Sequence, residues 1–127
     1  MNISINKLAK AFSWEGGKQQ VLKDLSIVIP TGSFATIMGA SGSGKSTLLG
    51  IIGGQLDADD GEVYVGPYAL HSMPAEAKRC YRRDSVGFVF QKPHLLPELS
   101  IIENLTLPLE LMGGSGSRTS KLSHSRA

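Results

Sequence analysis

A glycine-rich stretch at residues 39–47 constrains this chain more than any other part of its sequence. The stretch fits the pattern G-x-x-x-x-G-K-[ST] and lies between an apolar run at residues 34–38 and a segment with helical apolar spacing that begins at Lys45. In this context the glycines let backbone N–H groups turn inward around phosphates, and the helix N-terminus adds partial positive charge. The stretch therefore predicts a phosphate loop, made of Gly39, Ala40, Ser41, Gly42, Ser43, Gly44, Lys45, Ser46 and Thr47.

Two polar side chains of the phosphate loop carry predicted chemistry. Lys45 is expected to reach the β- and γ-phosphates of a nucleoside triphosphate, and the hydroxyl of Ser46 is expected to be a Mg²⁺ ligand. A glycine-rich turn that holds a lysine by chance is the alternative. The strand before the loop and the helix after it favour the phosphate site over that alternative.

The rest of the chain reads as short strands and helices. Alternating apolar residues predict strands at residues 3–8 and 21–29 with a turn at 15–18, and further strands are predicted at 34–38, 61–66 and 86–90. Helices are predicted from Lys45 to the glycines at 53–54 and over residues 75–83. Residues 92–99 are predicted to form a loop. Ser100 and Glu103 have capping-box spacing and open a helix that Pro108 should kink or end.

Composition indicates a globular chain and argues against some partners. The 127 residues are 41% hydrophobic, which suits one domain with a core. Three of the 13 basic residues lie in residues 113–127, where there is no acid, so the rest of the chain has 10 basic against 11 acidic residues. Neither nucleic acid nor a polybasic membrane patch is therefore indicated. The single cysteine, Cys80, excludes an internal disulfide, and no apolar run is long enough to span a membrane.

Residues 1–112 resemble the N-terminal part of an ABC-transporter ATP-binding domain. The resemblance rests on residues 21–26, on residues 39–54 across the phosphate loop, and on the Val-Gly-Phe-Val-Phe-Gln segment that ends at Gln91. Residues 95–100 and 103–104 are most similar to the lipoprotein-releasing and macrolide-export type of ATPase. The implied fold is α/β, a RecA-like P-loop NTPase core with an N-terminal antiparallel β region. Residues 113–127 are rich in glycine and serine and are predicted to be a disordered tail.

The resemblance also implies roles for residues and partners. Gln91 would be the glutamine that contacts Mg²⁺ and water, and Phe12 would stack on the adenine of ATP. Trp14 is a rival for the stacking position, and packing of Phe12 under the sheet is the plain alternative. The family works with a transmembrane permease and a second ATP-binding subunit. We therefore expect a cytoplasmic location, peripheral to the inner face of the membrane through the permease.

The sequence departs from the family pattern after Gln91. It shows no signature motif and no apolar run that ends in Asp-Glu, so we expect truncation before the signature and Walker B segments, and binding of ATP with little or no hydrolysis. Two other functions stay open. One is a non-catalytic fragment that docks on a permease or a full-length ATPase subunit. The other is a small P-loop phosphotransferase, for which Arg79, Arg82 and Arg83 are the candidate mobile arginines.

Overall fold

The structure is a computed structural model that describes residues 1–92 and 95–111. The chain divides into two compact units, Met1–Val86 and Gly87–Ala127. The predicted tail at residues 113–127 and part of the predicted loop at 92–99 lie outside the described residues. Each unit is described below by itself.

A four-stranded antiparallel sheet forms the body of the first unit. The strands are β1 (Ile3–Trp14), β2 (Gly17–Ile29), β3 (Asp60–Val65) and β4 (Tyr68–Ala69), in the order β2-β1-β3-β4. A two-residue turn with Gly16 at φ 119° joins β1 to β2. The three strands that were predicted for these segments are confirmed, and the first two are longer than the alternation of apolar residues indicated.

The middle of β1 is irregular, and this irregularity brings three strands close together. Its register with β2 shifts between Ile5 and Ala11, and its register with β3 shifts between Asn6 and Ala9. Lys7 lies in the left-handed region at φ 50°, and its N–H donates to the Ser26 hydroxyl at 3.0 Å instead of to a ladder carbonyl. Opposite the bulge, Gly61 has φ 91°, and a Cβ there would stand 2.5 Å from the Lys7 carbonyl oxygen. The bulge therefore needs glycine at position 61.

Two helices in the first unit pack around one apolar cluster. These helices are α1 (Lys45–Ile52) and α2 (Ala75–Ser85), and both were predicted. The hydroxyl of Tyr81 in α2 donates to the Ile52 carbonyl at the end of α1 at 2.8 Å, and Arg82 donates to the Gly54 carbonyl at 2.6 Å. These bonds tie the two helices together. The buried cluster consists of Ile5, Leu8, Leu22, Leu48, Ile51, Val63, Val65, Leu70 and Tyr81.

Two predicted strands are absent from the described structure. Residues 34–38 and 86–90 belong to no strand, and no described strand pairs with either of them. The apolar run at residues 34–38 suits a strand covered on both faces, but Phe34 is 96% exposed and Met38 86%, so that burial is wrong as well. An apolar run records a preference for burial, but a strand needs a neighbouring ladder, and a short run cannot specify where that neighbour lies.

The second unit contains helix α3 (Ile101–Leu111), which begins where the capping-box spacing predicted. Glu103 accepts hydrogen bonds from the Ser100 amide at 2.8 Å and hydroxyl at 2.6 Å, and its own amide donates to the Ser100 hydroxyl at 3.3 Å. Pro108 lies inside α3, which continues to Leu111, so of the two expected effects it does not end the helix, and a kink at Pro108 stays a prediction. The side chain of Asn104 bonds both backbone groups of Leu96 and contacts the carbonyls of Leu99 and Ser100.

Loss of the capping box should loosen the start of α3. The pKa of Glu103 lies below its ordinary value because the Ser100 hydroxyl, and then its amide, donate to the carboxylate. The box is therefore complete above the ordinary glutamate pKa of 4.5 and is lost as the pH falls through the lowered value. For Ser100→Ala at neutral pH we expect amide exchange at Glu103 about fivefold faster. Equal exchange in the parent and the variant, measured by NMR, would contradict this.

Candidate phosphate-binding site

The phosphate loop packs against β2 at the point where it joins α1. Gly44 is the N-cap of α1, is buried and has φ 91°, and a Cβ on it would stand 2.9 Å from side-chain carbons of both Val21 and Leu22. Gly42 has φ 77°, also in the left-handed region, with open space where a Cβ would be. Left-handed residues in alternate positions are typical of loops whose backbone amides turn inward around an anion. Glycine at 44 satisfies both the backbone angle and the close approach to β2.

Lys45 folds back over the loop that precedes it. Its ammonium donates to the carbonyl oxygens of Gly39 at 2.8 Å and Ala40 at 2.5 Å, and it lies 3.3 Å from the Ser43 hydroxyl. The Ser43 amide donates to the Ala40 carbonyl at 3.2 Å, which closes the turn beneath the ammonium. The flexible lysine stem therefore holds its positive charge against the loop backbone, and its reach to a phosphate stays a prediction.

The N-terminus of α1 has amide donors to offer an anion. No side chain caps the helix, and its first turn contains no acidic residue. The first regular helical bond runs from the Leu48 amide to the Gly44 carbonyl at 2.8 Å, so the amides that precede Leu48 lack a helical acceptor. Ser46 is exposed in this first turn. The uncapped amides and the ammonium are donors suited to phosphate oxygens, and the exposed hydroxyl has an oxygen of the kind that ligates Mg²⁺.

The two candidates for stacking on the base lie at the end of β1. Phe12 pairs with Gln19 of β2 and is 41% exposed, while Trp14 pairs with Gly17 and is 58% exposed. The plain alternative, Phe12 packed under the sheet, disagrees with this exposure. The Lys10 ammonium stands over the Phe12 ring, 5.6 Å from its centroid. A stacking role for Phe12 stays a prediction.

Gln91 belongs to the second unit. It is exposed and lies in a bend, after a segment without regular secondary structure in which the rings of Phe88 and Phe90 stack, with centroids 5.6 Å apart. Among residues 1–92 and 95–111 no group of three or more His, Cys, Asp or Glu side chains could hold a metal ion. The roles of Gln91 and Ser46 as metal ligands stay predictions.

The structure places a residue near Phe12 that sequence reasoning missed. Asp59 accepts a hydrogen bond from Lys10, two residues before Phe12, at 2.7 Å. The contact between Lys10 and Phe12 had a signal in the sequence, because residues two apart lie on the same face of a regular strand. Asp59 gave no signal because it is far from Lys10 in the sequence and follows a loop.

Comparison with known proteins identifies the family. The family model described as ABC transporter matches residues 22–126, which include the phosphate loop and Gln91. The chain belongs to the ABC transporter family. This match confirms the resemblance that the segments around the phosphate loop indicated.

Curated members of the ABC transporter family are similar to most of this chain. It is 46% identical over 93 residues to the lipoprotein-releasing system ATP-binding protein LolD of Acinetobacter baylyi, a match covering 72% of this chain and 40% of the relative. It is 35% identical over 127 residues to the putative hemin import ATP-binding protein HrtA of Staphylococcus epidermidis, covering 100% of this chain and 55% of the relative. The chain thus spans about half the length of these relatives.

A solved ABC cassette has the same fold. The dimeric, post-hydrolysis structure of the ATP-binding cassette MJ0796 with ADP and Pi superimposes with a TM-score of 0.85 at 34% identity, over 95% of this chain and 53% of that one. The neighbour confirms the fold class, an α/β P-loop core with an antiparallel β region, although two expected strands are not formed. Across the described ranges, no helix has the length and apolar character that crossing a membrane requires.

Proposed function

We propose that this chain binds ATP with Mg²⁺ through its phosphate loop, as part of the nucleotide-binding subunit of an ABC transporter. The observation that supports this most is the Lys45 ammonium, held by the loop carbonyls of Gly39 and Ala40 beside the uncapped start of α1. The positive ammonium and the amides that lack helical acceptors together match the negative charge of a polyphosphate.

Each part of the phosphate loop would have a separate task in binding. The first-turn amides of α1 would donate to phosphate oxygens, and Lys45 would exchange its carbonyl partners for the β- and γ-phosphates. The Ser46 hydroxyl would supply an oxygen to Mg²⁺, and Gln91 would supply another. When bound there, Mg²⁺ would neutralise part of the phosphate charge. Phe12 would stack on the adenine.

The remaining parts of the proposal concern the whole protein. In the transporter, ATP would drive a membrane permease, with a second ATP-binding subunit completing a dimer on the cytoplasmic side of the membrane. For the 127 residues alone we propose binding with little or no hydrolysis. The acids that follow Gln91 are Glu98, Glu103 and Glu110, and Glu103 is engaged in the capping box of α3.

The small phosphotransferase is disfavoured by the partners of its candidate arginines. Arg79 pairs with Glu76 at 2.6 Å, Arg83 pairs with Asp84 at 2.6 Å, and Arg82 donates to the Gly54 carbonyl. Arg79 and Arg83 are engaged by carboxylates of their own helix, and Arg82 is engaged by a carbonyl just after α1. The phosphotransferase required arginines that were mobile enough to close over a transferred phosphate.

One observation favours the interaction fragment as a second function. Helix α3 exposes Ile101 (82%), Leu105 (66%) and Leu109 (50%), which recur at helical spacing along one face. Apolar residues in such a stripe are typical of a helix that packs on another protein. Docking on a permease would not depend on Lys45, so it is compatible with nucleotide binding.

Replacement of Lys45 by alanine tests the proposed function. For Lys45→Ala we expect the affinity for MgATP to fall about tenfold or more, because a charged hydrogen-bond donor to the phosphates is lost. The measurement is isothermal titration calorimetry on the 127-residue chain, with phosphate release followed in parallel.

Arg79→Ala is the matched control for the change in charge. It also removes one positive charge, from a pair on α2 in which both side chains are mostly exposed, and should leave the affinity unchanged. Equal affinity of the parent and Lys45→Ala, or no binding by the folded parent, would contradict the proposed function. Phosphate release at enzymatic rates would contradict the expected lack of hydrolysis.

A further inference from the structure

Asp59 bonds three consecutive residues of β1, two through its carboxylate and one through its backbone amide. Its Oδ1 accepts a hydrogen bond from the Lys10 ammonium at 2.7 Å, and its Oδ2 accepts one from the Ala11 amide at 2.7 Å. The backbone amide of Asp59 donates to the Ala9 carbonyl at 3.0 Å. These bonds lie where the register of β1 shifts, so they replace ladder bonds that the bulge interrupts.

The ion pair with Asp59 fixes the Lys10 ammonium over Phe12. The Lys10 side chain is only 15% exposed, although lysine side chains usually extend into water. Its ammonium lies 5.6 Å from the centroid of the Phe12 ring, which is within the range of a cation–π contact. The pKa of Asp59 is held below its ordinary value, chiefly by the hydrogen bond from Lys10 and then by that from the Ala11 amide. Asp59 therefore stays ionised at neutral and mildly acidic pH.

We propose that Lys10 and Asp59 are positioning residues for the base of the nucleotide: Asp59 fixes Lys10, and the Lys10 ammonium holds the Phe12 ring in the orientation that stacks on adenine. This inference rests on the proposed function, because it needs ATP to bind at the phosphate loop. Neither residue would touch the phosphates.

Holding the ring in place has a physical advantage for binding. Phe12 is 41% exposed, and an exposed side chain loses rotamer freedom when a base stacks on it. A cation already on the ring fixes part of that freedom before the ligand arrives. The benefit should therefore appear in the affinity for ligands that carry a base, and not in the affinity for the triphosphate alone.

The test compares MgATP with Mg²⁺-tripolyphosphate, which lacks the base and the sugar. For Lys10→Met, which keeps the length of the side chain and removes its charge, we expect the affinity for MgATP to fall about fivefold. The affinity for tripolyphosphate should stay unchanged. Lys10→Arg should restore the affinity for MgATP, since a guanidinium can also pair with Asp59 and stand on a ring.

A control variant and a double variant separate positioning from general loss of structure. The control is Asp57→Asn: Asp57 pairs with Lys78, whose side chain is 13% exposed, but no described ring contact involves this pair. It should leave both affinities unchanged. In a Phe12→Leu background, Lys10→Met should have no further effect on MgATP affinity, because the ring through which it acts is gone.

Each outcome of the titrations decides between the hypotheses. Equal losses for MgATP and tripolyphosphate in Lys10→Met would overturn the positioning role, and so would unchanged affinities or a full additional loss in the Phe12→Leu background. If the parent binds both ligands in a manner that depends on Lys45, the proposed function stands whatever Lys10→Met does. If the folded parent binds neither ligand, the proposed function fails first.

Discussion

Replacing Gly61 by alanine is expected to lower the free energy of unfolding by about 3 kcal/mol. The new Cβ would stand 2.5 Å from the Lys7 carbonyl oxygen and 2.7 Å from both the Asn6 carbonyl oxygen and the Leu8 Cα. All three are backbone atoms of β1, so no side-chain rotation can relieve the contact, and alanine would also have to adopt φ 91°. The measurement is urea unfolding followed by far-UV circular dichroism.

Gly32→Ala is the matched control for the backbone angle. Gly32 has φ 76°, and nothing lies within 4 Å of where its Cβ would be. The free energy of unfolding of this variant should fall by only about 1 kcal/mol, the cost of the left-handed conformation for alanine. If the two variants were equally destabilised, the close approach of β3 to the bulge would contribute nothing, and the explanation given for Gly61 would be wrong.

The second large effect is expected at Gly44, where the phosphate loop joins α1. For Gly44→Ala we expect the affinity for MgATP to fall about thirtyfold, which corresponds to about 2 kcal/mol. A Cβ there would stand 2.9 Å from carbons of Val21 and Leu22 and 3.0 Å from the Val21 carbonyl oxygen, again at φ 91°. The loop must move away from β2 to relieve this, which turns the first amides of α1 out of line with the phosphates.

Titration calorimetry with MgATP measures the effect at Gly44, and Gly32→Ala serves again as the control. Gly32 lies outside the phosphate loop, so that variant should bind like the parent despite its left-handed alanine. Parent-like affinity in a folded Gly44→Ala variant would show that the close contact with β2 does not position the loop. A measurement of unfolding on the same samples separates loss of binding from loss of fold.

Elements whose signals are local were predictable from the sequence. The phosphate loop, helix α1 and the capping box of α3 each depend on residues within one turn of one another, so the pattern contains the interactions that form the element. The hairpin of β1 and β2 is similar, because it has a short glycine turn between alternating strands. The prediction of strands at residues 34–38 and 86–90 was wrong, because strand pairing depends on segments that are distant in the sequence.

The details of the candidate site were less predictable than its position. The pattern placed Lys45 at the loop, but it did not indicate that the ammonium would bond the carbonyls of Gly39 and Ala40. Nor could it connect Asp59 to Lys10, because a β-bulge brings that pair together. Contacts of this kind depend on strand register, which periodicity alone does not determine.

The side chain of Asn104 has a mechanical consequence for the second unit. It joins α3 to the preceding loop through both backbone groups of Leu96, at 2.8 and 3.1 Å, and through the Leu99 carbonyl at 3.1 Å. Several bonds from one amide resist sliding as well as separation, so residues 96–100 and the first turn of α3 form a stiff joint. A displacement of Leu96 would therefore also move the first turn of α3.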